Sequence, residues 1–156
     1  MRFMSVMVLV GAMLAVGSTA QAADRVDPRP AVGGPTPDVT KIPVSGGVGT
    51  LSYDANCFGY TGTFKDGSFI LVVDWEDADS NADECFGISP GRAIWHAWPG
   101  SGSWVQMPNN GRADNMVGAY YSNDGRRGVK VRVAASGNVF CSTRNFGPGW
   151  GAWFIC

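Results

Sequence analysis

The spacing of the turn signals constrains this chain more than any other feature. From Gly49 onward the sequence is cut by Lys65-Asp66-Gly67, Ser89-Pro90-Gly91, Pro99-Gly100, Asn109-Asn110-Gly111, Asn123-Asp124-Gly125, Ser136-Gly137 and Pro148-Gly149. Such clusters reverse the chain, because Gly, Asn and Asp reach backbone conformations closed to other residues and Pro presets φ. The stretches between them are too short and too irregular for a helical period. Several alternate or are rich in aromatic and β-branched residues, as in Phe58–Phe64 and Val129–Val133, where valines alternate with Lys130 and Arg132. That alternation marks a half-buried antiparallel strand. Phe69–Asp74 is instead continuously apolar as far as Val73, which predicts a strand covered on both faces. The reading is an all-β antiparallel domain, sandwich or barrel-like, of about ten short strands.

This domain is expected to occupy residues 48–156. Ahead of it, residues 24–47 hold Pro28, Pro30, Pro35, Pro37 and Pro43 and read as a flexible Pro/Gly-rich arm. Residues 1–23 have a basic start at Arg2, an apolar run from Met4 to Val16, and a cleavage pattern at Ala20-Gln21-Ala22. That order is a secretory signal peptide, so the expected location is extracellular. The apolar run is too short for a membrane anchor, and no membrane insertion is expected.

All four cysteines, Cys57, Cys85, Cys141 and Cys156, follow the signal segment. An even count in an exported chain reads as two disulfides. Zinc is disfavoured by the lack of a C-x-x-C pair and by a single histidine, His96. Cys141 and Cys156 flank Pro148-Gly149 almost symmetrically, so a hairpin there would bring them together. Cys57 and Cys85 are then left to pair. In a flat meander those two would lie roughly 10 Å apart, two strand spacings, which exceeds disulfide reach. Either the sheet folds over at that point, or the connectivity crosses.

The net charge is −1, and charged residues make up 16% of the chain. Acids gather before Pro90 and bases after Arg92. A nucleic-acid partner calls for a basic surplus that is missing here. Within the acidic part, Asp77, Asp79, Asn81 and Asp83 place oxygens at alternate positions, the spacing of a calcium loop. Ala82 and Ile88 stand where an EF-hand needs Gly and Glu, so the run predicts at most a weak calcium site, and no other cofactor is expected.

Two segments can be laid over one another. Gly91 to Trp104 and Gly137 to Trp150 each open on glycine, run through a short apolar strand and a Gly/Pro turn, and close on tryptophan. With Val129–Val133, Gly137, Phe140 and Gly149-Trp150-Gly151-Ala152-Trp153, this order resembles one blade of the β-propeller lectins. The resemblance implies sugar binding, although the chain is too short to close a propeller. An independent argument leads to the same ligand. Indoles cover the flat C–H face of a sugar while polar neighbours meet its hydroxyls. Trp98 and Trp104 adjoin turns and are the candidate platform, with Arg92, His96 and Arg112 as rim. Trp95 falls on the strand face opposite Trp98, so both can be core only if the strand is covered on both sides.

Catalysis is the least favoured reading. There is no G-x-S-x-G motif, and nothing in the spacing selects a working pair from Asp74, Glu76, Glu84 and Asp114. The expected function is a secreted, non-catalytic binding module for carbohydrate or cell-envelope glycan. A module directed at an extracellular protein, such as an inhibitor or effector, is the alternative, followed by a small secreted hydrolase.

Overall fold

The computed structural model describes residues 27–46, 51–75, 81–109 and 111–156. The signal segment, the start of the arm, and Asp77 and Asp79 lie outside the described residues. Eleven strands and no helix are found among the described ones: β1 Asp38–Pro43, β2 Ser52–Cys57, β3 Tyr60–Lys65, β4 Phe69–Asp74, β5 Glu84–Ile88, β6 Ile94–Ala97, β7 Val105–Gln106, β8 Asn115–Tyr121, β9 Arg127–Arg132, β10 Val139–Thr143 and β11 Phe154–Ile155. The domain is all-β, with every strand pair antiparallel.

The strands form three layers. A five-stranded sheet in the order β1-β4-β5-β6-β7 lies between a four-stranded sheet, β11-β10-β9-β8, and a two-stranded hairpin, β2-β3. The alternation of side chains in the middle sheet builds both interfaces. Leu71, Val73, Phe86, Ile88 and Ile94 face the four-stranded sheet and pack with Met116, Val129, Val131 and Trp150. Ile70, Cys85 and Ala97 face the other way and pack with Phe64 and Trp104 under the hairpin. The continuous apolarity of Phe69 to Val73 follows from this, since β4 has a neighbour on each face and an edge on neither side. In β5 all five residues are buried. β9 keeps the predicted alternation, with Val129 and Val131 in the core and Arg132 exposed.

The hairpin resolves the disulfide problem. β2 and β3 pair only with each other and lie across the middle sheet instead of extending it. Cys57 at the end of β2 thereby comes within 6.6 Å, Cα to Cα, of Cys85 in β5, and the two are bonded. Cys141 and Cys156 are also bonded, with Cys141 opposite Phe154 in the β10–β11 pair.

Two expectations need adjusting. Asp38–Pro43, placed in the arm by its proline content, is a strand paired along its whole length with β4, and Val44 beyond it is buried. Pro43 sits on the outermost strand, where a missing N–H interrupts no ladder. The sequence repeat is likewise not a structural repeat. Its first copy supplies β6 of the middle sheet, while its second supplies β10 of the outer sheet. Trp104 and Trp150, equivalent in the repeat, are buried in different cores. The meander β8–β11 has four strands in chain order, as a propeller blade does, but it packs on one five-stranded sheet and not on copies of itself around a channel.

Candidate functional site

At one end of the sandwich, the start of β5 and the end of β6 meet the start of β9 and the end of β10. A cavity of about 600 Å³ opens there, lined among others by Asp83, Glu84, His96, Trp98, Arg127, Arg144 and Trp150. The β5–β6 register places Phe86 opposite His96 and Cys85 opposite Ala97. Alternation then sends Glu84, His96 and Trp98 to the same face as Phe86 and Ile94. Toward the middle of the sheet this face is filled by the apolar core. At its end the filling stops and polar residues take over.

His96 is the hub. It is 7% exposed and lies parallel to Phe86 at 6.0 Å, while Trp98 leans against it at 4.9 Å and Trp150 meets it edge-on at 6.2 Å. Its Nδ1 is 2.7 Å from Oε1 of Glu84. With that carboxylate ionised, Nδ1 must carry the hydrogen, because a carboxylate only accepts; Nε2 of the neutral ring then keeps its lone pair. Glu84 is 4% exposed, and its Oε2 accepts a hydrogen bond from Trp75 Nε1 at 3.2 Å. A buried carboxylate needs such donors to offset its lost hydration. Asp83 accepts from the Trp75 backbone N–H at 2.8 Å through Oδ2. On the opposite wall the Arg127 guanidinium lies 5.5 Å over the Trp75 ring, and Arg144 is exposed.

The residues expected at a binding site are divided by the structure. His96 and Trp98 stand together, and Trp98 is 38% exposed. Trp104 is 8% exposed; it packs against Phe64 at 4.5 Å, and its Nε1 donates to the Tyr60 carbonyl at 2.9 Å. Its place is under the hairpin because Tyr60 and Phe64 on β3 come down onto that face. Arg112 donates to the Gly91 carbonyl and lines a separate cavity of about 200 Å³ beside Trp153 and Phe140. Arg92, at φ 66°, is paired with Asp114 at 3.0 Å. Of the calcium run, Asn81 and Asp83 are described. Among the described residues no group of three His, Cys, Asp or Glu side chains could hold a metal ion.

The sequence reading did not single out Arg127, Arg144 or the pairing of Glu84 with His96. The signal for the last was present: Glu84 lies two residues before Phe86, and His96 two before Trp98, on strands joined by the tight turn Ser89-Pro90-Gly91. The two arginines carried no local signal, since only the facing of the two sheets brings them to the cavity. No protein-family model, curated protein or solved structure matches this chain. The two disulfides, with no described helix long and apolar enough to cross a membrane, are consistent with an extracellular protein.

Proposed function

We propose that the protein is a secreted, non-catalytic binding module and that its ligand is a carbohydrate taken at the cavity beside Trp98. One observation carries this reading: a partly exposed indole, Trp98, stands at the mouth of a cavity of about 600 Å³ whose other walls offer carboxylates, an imidazole and guanidiniums. That volume is in the range of small-molecule sites, about 300–1,000 Å³. An indole face against sugar C–H groups, with charged groups for the hydroxyls, is the chemistry a saccharide needs. A glycan array probed with the purified mature protein tests it. The expected result is binding that disappears in Trp98→Ala while the melting temperature stays close to that of the parent. An array on which no saccharide is retained would remove the reading.

A second reading rests on the Glu84–His96 contact. A buried carboxylate that fixes the tautomer of an imidazole on a cavity wall is also the arrangement of a general base acting on water. A saccharide that is bound and then shortened, with shortening lost in His96→Gln, would make the protein a hydrolase.

A further inference from the structure

We infer that the saccharide bound at this cavity is acidic, its carboxylate held by Arg127 and Arg144 while a sugar face rests on Trp98. The inference deepens the carbohydrate reading and depends on it.

The state of each charged group points this way. On the inner wall the carboxylates have partners within the protein. Glu84 is engaged through both oxygens, by His96 and by Trp75, and Asp83 is engaged by the Trp75 backbone. On the facing wall the two arginines differ from their neighbour. Arg126 is spent on Asp124 in a two-pronged contact, Nε to Oδ1 at 3.0 Å and Nη2 to Oδ2 at 2.7 Å. Neither Arg127 nor Arg144 forms an ion pair with a carboxylate among the described residues.

Their backbones are fixed side by side. The Arg144 N–H donates to the Arg127 carbonyl at 2.8 Å, continuing the β9–β10 ladder, and Arg126 Nη1 donates to the Arg144 carbonyl at 3.1 Å. Arg127 is further restrained by the Trp75 ring beneath it. Two like charges held on one wall repel each other, and a bound anion relieves that repulsion. The planar guanidinium fork matches a carboxylate, which can accept two parallel hydrogen bonds from it. A neutral sugar offers neither guanidinium a carboxylate, and the Asp83 and Glu84 carboxylates on the other wall are already hydrogen-bonded to Trp75 and His96. A uronic acid brings the needed carboxylate and keeps a C–H face for Trp98.

The test is calorimetric titration of the mature protein with oligogalacturonate and with hyaluronan oligosaccharides, each beside its methyl ester, with chelator present so that no cation bridges. The ester has nearly the same shape and lacks the charge. One of the acids is expected to bind at least about tenfold more tightly than its ester, the effect of one charged hydrogen-bonded contact. Arg144→Gln and Arg127→Gln should each bring the acid toward the affinity of its ester. Arg144 is exposed, so its variant should keep the parent circular dichroism spectrum and melting temperature. Equal binding of acid and ester, or an acid preference that survives both substitutions, overturns the inference and leaves the carbohydrate reading standing. Failure to bind any saccharide, charged or neutral, removes both.

Discussion

Replacing Trp104 by alanine should destabilise the domain far more than the same change at Trp98, although sequence places both beside turns. Trp104 is 8% exposed and wedged between the hairpin and the middle sheet, with its ring 4.5 Å from that of Phe64. Truncating a buried tryptophan costs about 3–5 kcal/mol. The hydrogen bond from Nε1 to the Tyr60 carbonyl is lost too, at about 1 kcal/mol. Tyr60 begins β3 and is only partly buried, so water can reach its freed carbonyl, and about 4 kcal/mol is the expected total. With a urea m-value of about 2 kcal/mol/M, the unfolding midpoint should fall by about 2 M. Equilibrium urea unfolding with disulfides intact, followed by near-ultraviolet circular dichroism, measures this directly. Trp98, at 38% exposure, should shift the midpoint by less than half as much. Equal shifts for the two variants, or a Trp104→Ala midpoint within about 0.5 M of the parent, would refute the assignment of Trp104 to the hairpin core.

Three further outcomes are expected. Removing the Cys57–Cys85 bond, at a sequence separation of 28, should cost more than removing Cys141–Cys156, at 15: about 3.5 against about 3 kcal/mol by loop entropy, read from thermal unfolding of the paired alanine variants. Gly87→Ala puts a Cβ 2.5 Å from the Phe64 ring and 2.7 Å from Ile70 Cδ1, so the melting temperature should drop by several degrees, corresponding to about 1–3 kcal/mol of overpacking. Burial pushes the Tyr120 hydroxyl up to about 12, against a lowering by its hydrogen bond to Thr143. The folded state thus holds this proton more tightly than the unfolded chain, stability is unaffected below about pH 10 and falls between about pH 10 and 12, and ultraviolet titration should show one of the four tyrosines ionising last.

The parts of the fold that were legible in sequence are those set by neighbours along the chain. Pro148-Gly149 between Cys141 and Cys156 implied their bond, and the alternation in Val129–Val133 implied which side of β9 is wet. What required the third dimension was the destination of whole hairpins. Nothing in Ser52–Lys65 says that it lies across the middle sheet instead of continuing it, yet that placement decides that Trp104 is buried and that Cys57 reaches Cys85. β1 was hidden by Pro43 and the prolines ahead of it, because composition averages over Pro43 without showing that it occupies an outer edge. The site was half visible. His96 on β6 and Trp98 just past its end have the parity expected of them, whereas Arg127 and Arg144 reach the same cavity only because two sheets face each other.

The hairpin layer shares no strand ladder with the rest of the molecule, and its attachment is Cys57–Cys85 together with the contacts of Phe64 and Trp104. In a chain with free thiols the covalent strap is missing, and Ile70, Val72, Trp95 and Ala97 form an apolar surface that a loosened hairpin covers only part of the time. A contiguous patch of that kind is a seed for self-association. The wet end of the sandwich, with Glu84, His96 and Trp98, is built from the opposite face of the same strands and does not need the strap to take shape. Loss of the Cys57–Cys85 bond alone, with Cys141–Cys156 intact, would thus uncover an apolar face while leaving the cavity's walls in place. For this molecule, resistance to self-association and the shape of the cavity are governed from opposite sides of one sheet.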